Sequence, residues 1–276
     1  MEEKLIYSME KEMRRRGFSP RTVDAYSFRA KEFLRKCGKK ARSITKKDVK
    51  DYLDSLVEKG KAGSTLNIHL SSIRFLIEEV MHRNMYLRLK FSKRPRSLPT
   101  VLAKEEVRKL IDAIENPKHR LMIELMYSAG LRLSELVNLR VRDFEFSNNF
   151  GWVRKGKGNK DRAFIIAEKL KKEILDHISK NKLGYDSWLF SGNKNYHISQ
   201  RTIQEIVKKA AKNAKIAKSV HPHTLRHSFA THLVENRCSL TSLQSLLGHN
   251  SLETTHVYVH TASPIMLTVK SPFDSL

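Results

Sequence analysis

H-T-L-R-H-S-F-A-T-H-L (His223 to Leu233), then L-G-H (Leu247 to His249) and, nine residues further on, Tyr258, make up the stretch on which the fold turns. Thr224 to Glu235 reads as one helix and Leu240 to Leu247 as a second. Gly248 ends the second, because glycine accepts the left-handed conformation required just past a helix end. His249 is then presented beyond a helix C-terminus. His223 and Arg226, three residues apart, are expected on one helix face. An arginine holds a phosphate by parallel hydrogen bonds, a histidine donates another or moves a proton, and a tyrosine hydroxyl attacks phosphorus. Together the three pieces point to covalent phosphoryl transfer by tyrosine.

Upstream, A-G-L-R-L-S-E-L (Ala129 to Leu136) places Arg132 after a nearly all-apolar, hence buried, helix carrying Leu121, Ile123, Leu125 and Met126 and ending at Gly130. Ser134 is expected to cap the next helix, and Glu135 to orient or cap rather than react. Phe144 with Phe146, Trp152 with Val153, and Phe164 to Ile166 are short strand-like runs. The turn G-K-G-N-K-D (Gly156 to Asp161) joins the last two as a hairpin. Lys157 stands at its tip between two glycines, where an ammonium can reach into a groove and protonate a leaving oxygen. Lys155 and Lys160 compete for that role. A helix through Leu110, Ile111 and Ile114 is expected to end near Pro117, and Glu168 to Lys180 and Ser199 to Ile216 read as further helices.

The N-terminal part reads as short helices with clear stops. Ser19 with Pro20 forms an N-cap followed by proline at the first helical position, Thr45 with Asp48 forms a capping box, and Ser64 is expected to cap a third helix. The fold class is thus mainly α with two domains: a helical bundle over 1–92, a linker over 93–100, and a mixed α+β domain over 101–276 with a small antiparallel sheet.

The 276 residues include 53 Lys+Arg against 29 Asp+Glu, a formal net charge of +24. The excess runs through both parts of the chain, which excludes a single basic tail and favours a long footprint on a polyanion such as nucleic acid. Cys37 and Cys238 lack C-x-x-C spacing, and no apolar signal segment opens the chain, so a reduced cytoplasmic setting without zinc or disulfide is expected. No apolar run is long enough for a membrane span. His223 and His227 have the i, i+4 spacing of metal ligands. The intervening T-L-R, however, lacks the glutamate of H-E-x-x-H and puts a cation beside the supposed metal, which makes metal the weaker reading. His232, His256 and His260 are read as structural or surface residues.

A-G-L-R-L-S-E-L, G-K-G-N-K-D-R, H-T-L-R-H-S-F-A-T-H-L, L-G-H and T-T-H-V-Y-V-H, in this order, resemble the tyrosine site-specific recombinases, closest to the Xer type. S-P-R-T-V-D-A-Y and G-S-T-L-N-I-H-L-S-S-I-R-F-L resemble that family's N-terminal SAM-like core-binding domain, so the likeness covers nearly the whole chain. The resemblance implies that Arg132 and Arg226 clamp the scissile phosphate, His223 assists with a hydrogen bond and proton handling, and His249 donates to a phosphate oxygen. It further implies that Lys157 is the general acid and that Tyr258 is the nucleophile, attacking once adjacent cations favour its phenolate. The product would be a 3′-phosphotyrosine link, formed without metal, ATP or other cofactor. Double-stranded DNA would be the partner and a homotetramer the working assembly.

Without the arm-binding domain of phage integrases, chromosome dimer resolution is favoured over a mobile-element integrase or resolvase with the same chemistry. Two features depart from the family. Arg237 stands where many Xer sequences have glycine, so either the turn tolerates it or the turn has another shape. The tail after Tyr258 carries Pro264 and Pro272, which oppose a long helix, so any exchange of C-terminal segments would be short and apolar, through Ile265, Met266 and Leu267.

Overall fold

The structure is a computed structural model and describes residues 2–85, 92, 99–154, 156, 161–192, 196–248 and 258. It divides into two compact units, Met1–Arg96 and Ser97–Leu276. Among the described residues no helix is long and apolar enough to cross a membrane.

The first unit holds α1 (Glu2–Arg15), α2 (Pro20–Cys37), α3 (Lys46–Glu58) and α4 (Gly63–Arg74), the last running into a π-helical turn over Phe75–Val80. Local chemistry fixes most of these ends. The Ser19 hydroxyl accepts from the Thr22 backbone N–H at 3.2 Å, and Gly38 closes α2 in the left-handed conformation. Thr45 and Asp48 form the expected reciprocal box, at 3.3 and 2.8 Å. Ser64 does not cap α4: Ala62 occupies the cap position and Ser64 lies inside the helix, which begins at Gly63. The apolar faces meet in a core of Ile6, Met9, Met13, Phe33, Leu34, Ile73, Leu76 and Ile77. Within it the rings of Phe33 and Tyr52 meet edge to face at 5.2 Å, and Tyr52 Oη reaches Nδ1 of His69 at 3.1 Å.

The second unit begins with α5 (Lys104–Asp112), α6 (Pro117–Ser128) and α7 (Leu133–Val137). Pro117 opens α6 rather than stopping α5, with the Asn116 side chain accepting from the His119 N–H at 3.1 Å. A three-stranded antiparallel sheet follows, β1 (Phe144–Glu145), β2 (Phe150–Val153) and β3 (Arg162–Ile165) in the order β1-β2-β3. Gly151 pairs with Phe144 on one side and Phe164 on the other. Then come α8 (Glu168–Lys180), α9 (Gln200–Asn213), α10 (Pro222–Glu235) and α11 (Leu240–Leu247). Helix α10 starts two residues before the position read from sequence, at Pro222, with the His221 ring accepting from the Thr224 N–H.

Two turns in this unit aim functional residues. At the end of α6, Gly130 has φ +56°, and a Cβ there would collide with the Phe229 ring of α10, so the two helices approach as closely as glycine allows. At the end of α10, Arg237 has φ +61°. Its N–H bonds the Val234 carbonyl at 2.9 Å, while the Cys238 N–H bonds the Leu233 carbonyl at 2.9 Å. That is the Schellman pattern usually built on glycine, retained here with an arginine.

Candidate active site

Helix α10 is buried along most of its length, because it packs on α6, α9 and α11 together. It therefore holds Arg226 in the interior, 3% exposed, and leaves His223 at the solvent side of the same helix. Arg132 sits at the cap position of α7, fixed by its own backbone: its N–H bonds Glu135 Oε2 at 2.8 Å. That bond corrects the cap read from sequence. Glu135 takes the cap role from the third helical position, and Ser134 lies within the helix, its carbonyl accepting from Asn138. The carboxylate reaches back to accept from the N–H of the cap residue itself, and it also satisfies a guanidinium.

Glu135 is the hub of the site. Its Oε1 accepts from Arg132 Nη1 at 2.6 Å, its Oε2 accepts from Arg162 Nη2 at 2.6 Å, and Arg226 Nη1 lies 3.8 Å from Oε2. The three guanidiniums also share the carbonyls at the C-terminal end of α11. Arg162 donates to Leu246 O, Arg226 to Leu247 O at 2.6 Å, and Arg132 to Leu247 O at 3.2 Å and Gly248 O at 3.4 Å. Cations at a helix C-terminus complement its partial negative charge. Arg226 is tied as well to Gly130 O at 2.6 Å, which uses the carbonyl exposed by the close turn after α6.

Burial alone would raise the Glu135 pKa. The Arg162 hydrogen bond and charge, with the Arg132 N–H and charge, instead hold it at about 2. Burial, together with the neighbouring Arg132, pushes Arg226 down to about 9, which still leaves it cationic at neutral pH. Among the described residues one carboxylate stands against three guanidiniums, a surplus of positive charge that is the electrostatic setting of an anion site.

Tyr258 lies beside this cluster, packed among Phe229, Val234, Leu243 and Leu247 and only 3% exposed. Its Oη is 3.1 Å from Nδ1 of His227. Burial raises its pKa above the ordinary phenol value, and the opposing pull of Arg226 and Arg132 does not cancel that rise. The adjacent cations do pull towards the phenolate, as expected, but in the DNA-free chain desolvation of a nearly enclosed hydroxyl outweighs them and the phenol keeps its proton. His227 is itself driven down to about 4, by burial first and then by His223, Arg226 and His221. His223 is shifted down by desolvation of its ring and by His221, Arg226 and Arg132.

The fold thus brings together Arg132, Arg226, Tyr258 and, at the rim, His223. Lys157 and His249 lie outside the described residues, as do Lys155, Lys160, Ser251, His256, His260 and the tail with Pro264, Pro272, Ile265, Met266 and Leu267. His232 is buried, with Nδ1 2.8 Å from Tyr127 Oη. Among the described residues no group of three His, Cys, Asp or Glu side chains could hold a metal ion. Two residues were missed in the sequence. Arg162 closes the G-K-G-N-K-D-R stretch with no role of its own, and His227 figures only as a possible metal ligand. The available signals were the histidine next to Arg226, and an arginine in an otherwise apolar strand, R-A-F-I.

Residues 100–263 match the phage integrase family, and residues 5–86 match the N-terminal SAM-like domain of phage integrases. The chain belongs to the phage integrase family. It is a tyrosine recombinase, an enzyme that cleaves and rejoins DNA. This recombinase is 35% identical over 245 residues to the tyrosine recombinase XerA of Pyrococcus horikoshii, covering 88% of this chain and 84% of that one. It is 35% identical over 263 residues to a tyrosine recombinase of Thermosipho africanus, covering 90% and 91%. A crystal structure of XerA recombinase is 28% identical with a TM-score of 0.56, over 97% of this chain and 96% of that one. The fold is also that of XerH in a post-cleavage complex with its difH substrate, at 23% identity and a TM-score of 0.77, over 94% and 82%.

Proposed function

We propose that this recombinase cuts and rejoins duplex DNA at a specific site through a 3′-phosphotyrosine link on Tyr258. The observation that carries the reading is the cationic surplus of Arg132, Arg162 and Arg226 around the carboxylate of Glu135, with the Tyr258 hydroxyl beside it. An anion that enters a preorganised, water-poor cluster of this kind is stabilised most when its charge grows, as it does on the non-bridging oxygens of a phosphate under attack. Arg132 and Arg226 hold those oxygens. Glu135 fixes the guanidinium planes, His223 adds a hydrogen bond from the rim, and His249 donates to a phosphate oxygen. Lys157 protonates the departing 5′-oxygen, and Tyr258 conserves the bond energy for rejoining, so the cycle uses neither ATP nor a metal ion.

The unit over 1–92 grips the duplex with the catalytic unit over 101–276, the two joined through the linker at 93–100. Four protomers act on two sites, a reading supported by the lambda integrase tetramer bound to a Holliday junction, whose fold this chain shares. Resolution of chromosome dimers in the cytoplasm is the role that the XerA and XerD relatives favour. The likeness to a putative integrase/recombinase of Sinorhizobium fredii, 32% identical over 272 residues, supports a second role, in a mobile element.

A plasmid carrying two copies of the chromosomal region that the protein occupies in cells tests the reading. Recombination into two circles in the presence of a chelator is expected, with Tyr258→Phe inert yet still bound to the DNA. Relaxation without recombination, or recombination by Tyr258→Phe, would refute it.

A further inference from the structure

His227 has no place in the site as built so far, yet it is His227, and not His223 at the exposed rim, whose ring nitrogen lies against the Tyr258 hydroxyl. That hydroxyl is buried and protonated, and the nearby arginines do not ionise it. A neutral phenol is a poor nucleophile, so its proton must leave as the bond to phosphorus forms. We infer that His227 is a further catalytic residue of this recombinase, the general base that takes the Tyr258 proton. The inference rests on Tyr258 being the nucleophile.

The geometry is direct. Nδ1 of His227 lies 3.1 Å from Tyr258 Oη, within the reach expected of a nucleophile and its base, with the ring centroids 5.7 Å apart. Both residues are held by packing: His227 projects from buried α10, and Tyr258 is enclosed by Phe229, Val234, Leu243 and Leu247. His227 follows Arg226 directly, so one helical turn carries both a phosphate clamp and a base. Burial first, and then His223 and Arg226 of α10 and His221 just before it, keep the ring neutral at physiological pH. The role requires the tautomer that presents a bare Nδ1 to the hydroxyl and carries its own proton on Nε2, one of the two open to a neutral ring at this distance. When DNA binds, the scissile phosphate offsets the charge of Arg226, which makes His227 more basic at the moment the proton must move. The phenol loses basicity in step, as its oxygen is drawn into the phosphodiester.

The step balances. The O–H bond of Tyr258 breaks and its proton passes to Nδ1 of His227 while Oη bonds to phosphorus. The bond from phosphorus to the 5′-oxygen breaks, and that oxygen takes a proton from the general acid, assigned above to Lys157. Rejoining runs the same transfers backwards, with His227 returning its proton to the tyrosine oxygen.

Single-turnover cleavage tests this on a nicked suicide duplex chosen from the sequences that the wild-type protein converts to covalent adduct. The His227→Gln side chain can still accept a hydrogen bond but cannot take a proton. It is expected to bind DNA normally and to cleave about 100-fold more slowly at pH 7. The deficit should shrink by about tenfold per pH unit towards pH 9, as the phenol ionises unaided. Added imidazole should restore part of the rate to His227→Ala, which keeps the test open if the glutamine variant melts. Wild-type cleavage by His227→Gln, or a deficit that is the same at every pH, would reduce His227 to a structural contact. Adduct formation by Tyr258→Phe at the wild-type rate would instead remove the nucleophile itself, an outcome separate from any effect of His227.

Discussion

Nη2 of Arg162 lies 2.6 Å from Oε2 of Glu135, and the side chains are 6% and 3% exposed. The pair joins β3 to α7, and because Arg162 also donates to the Leu246 carbonyl, it joins both to the end of α11. Removing one partner of such a pair strands the other as a buried charge. Glu135→Ala is therefore expected to destabilise the second unit by about 3–5 kcal/mol. Both tryptophans, Trp152 and Trp188, belong to that unit, so denaturation followed by their fluorescence reports on it alone. Stability close to wild type would show that the three arginines find other anions.

Acid should expose the same hub. The folded value for Glu135, about 2, lies below the ordinary carboxylate range near ~4.3, so the stability it contributes is fully present above that range. It is lost as pH falls through about 2. Urea midpoints between those limits should drop more steeply for wild type than for Glu135→Gln, which has no proton to bind there. Parallel slopes would contradict the assigned pairing.

Gly248 offers a test of how the end of α11 is set. Its φ of +59° is left-handed, and a Cβ would lie 2.7 Å from Cδ of Arg162, whose head is tied to Glu135 and Leu246. Gly248→Ala is expected to cost about 1–2 kcal/mol of stability from the backbone alone. It should also slow cleavage, because the carbonyls that orient Arg132 and Arg226 shift with the helix end. Unchanged cleavage in a single-turnover assay would separate α11 from the site.

Arg237 predicts a gain. The left-handed conformation costs a non-glycine residue about 1–2 kcal/mol, and glycine gives back roughly 0.5–1 kcal/mol through its freer unfolded chain. With φ +61° in an intact Schellman turn, Arg237→Gly should stabilise the unit by about 0.5–1 kcal/mol, a rise in Tm of about 1–4 °C. A fall in Tm would mean that the arginine side chain earns its place by a contact.

Thr45 with Asp48, and Ser19 with Pro20, were legible because a capping box and a proline-led helix start are complete within four residues. The apolar period likewise gave α8 and α11 to the residue, with Gly248 the terminator of α11. Ser64 and Ser134 were misread for the complementary reason. A serine near a helix start serves as a cap only if the chain enters there, and at α7 the longer reach of Glu135 took the position. Arg162 was hidden because its partner is 27 residues away, and in a chain this basic one more arginine reads as solvated. The net state of Tyr258 in the DNA-free chain was not legible, because sequence displays the neighbouring cations but not the packing that encloses the hydroxyl. Depth, not proximity of charge, set the direction of its shift.

The central claim is that Tyr258 carries the DNA between cleavage and rejoining. Its most direct test is to trap the covalent complex on a nicked suicide duplex in chelator, trim the DNA with nuclease, and map the modified peptide by mass spectrometry. The nucleotide is predicted on Tyr258 through a 3′-phosphate, in a complex that forms without divalent metal. A nucleotide on any other residue, or an adduct that forms only when metal is restored, would contradict it.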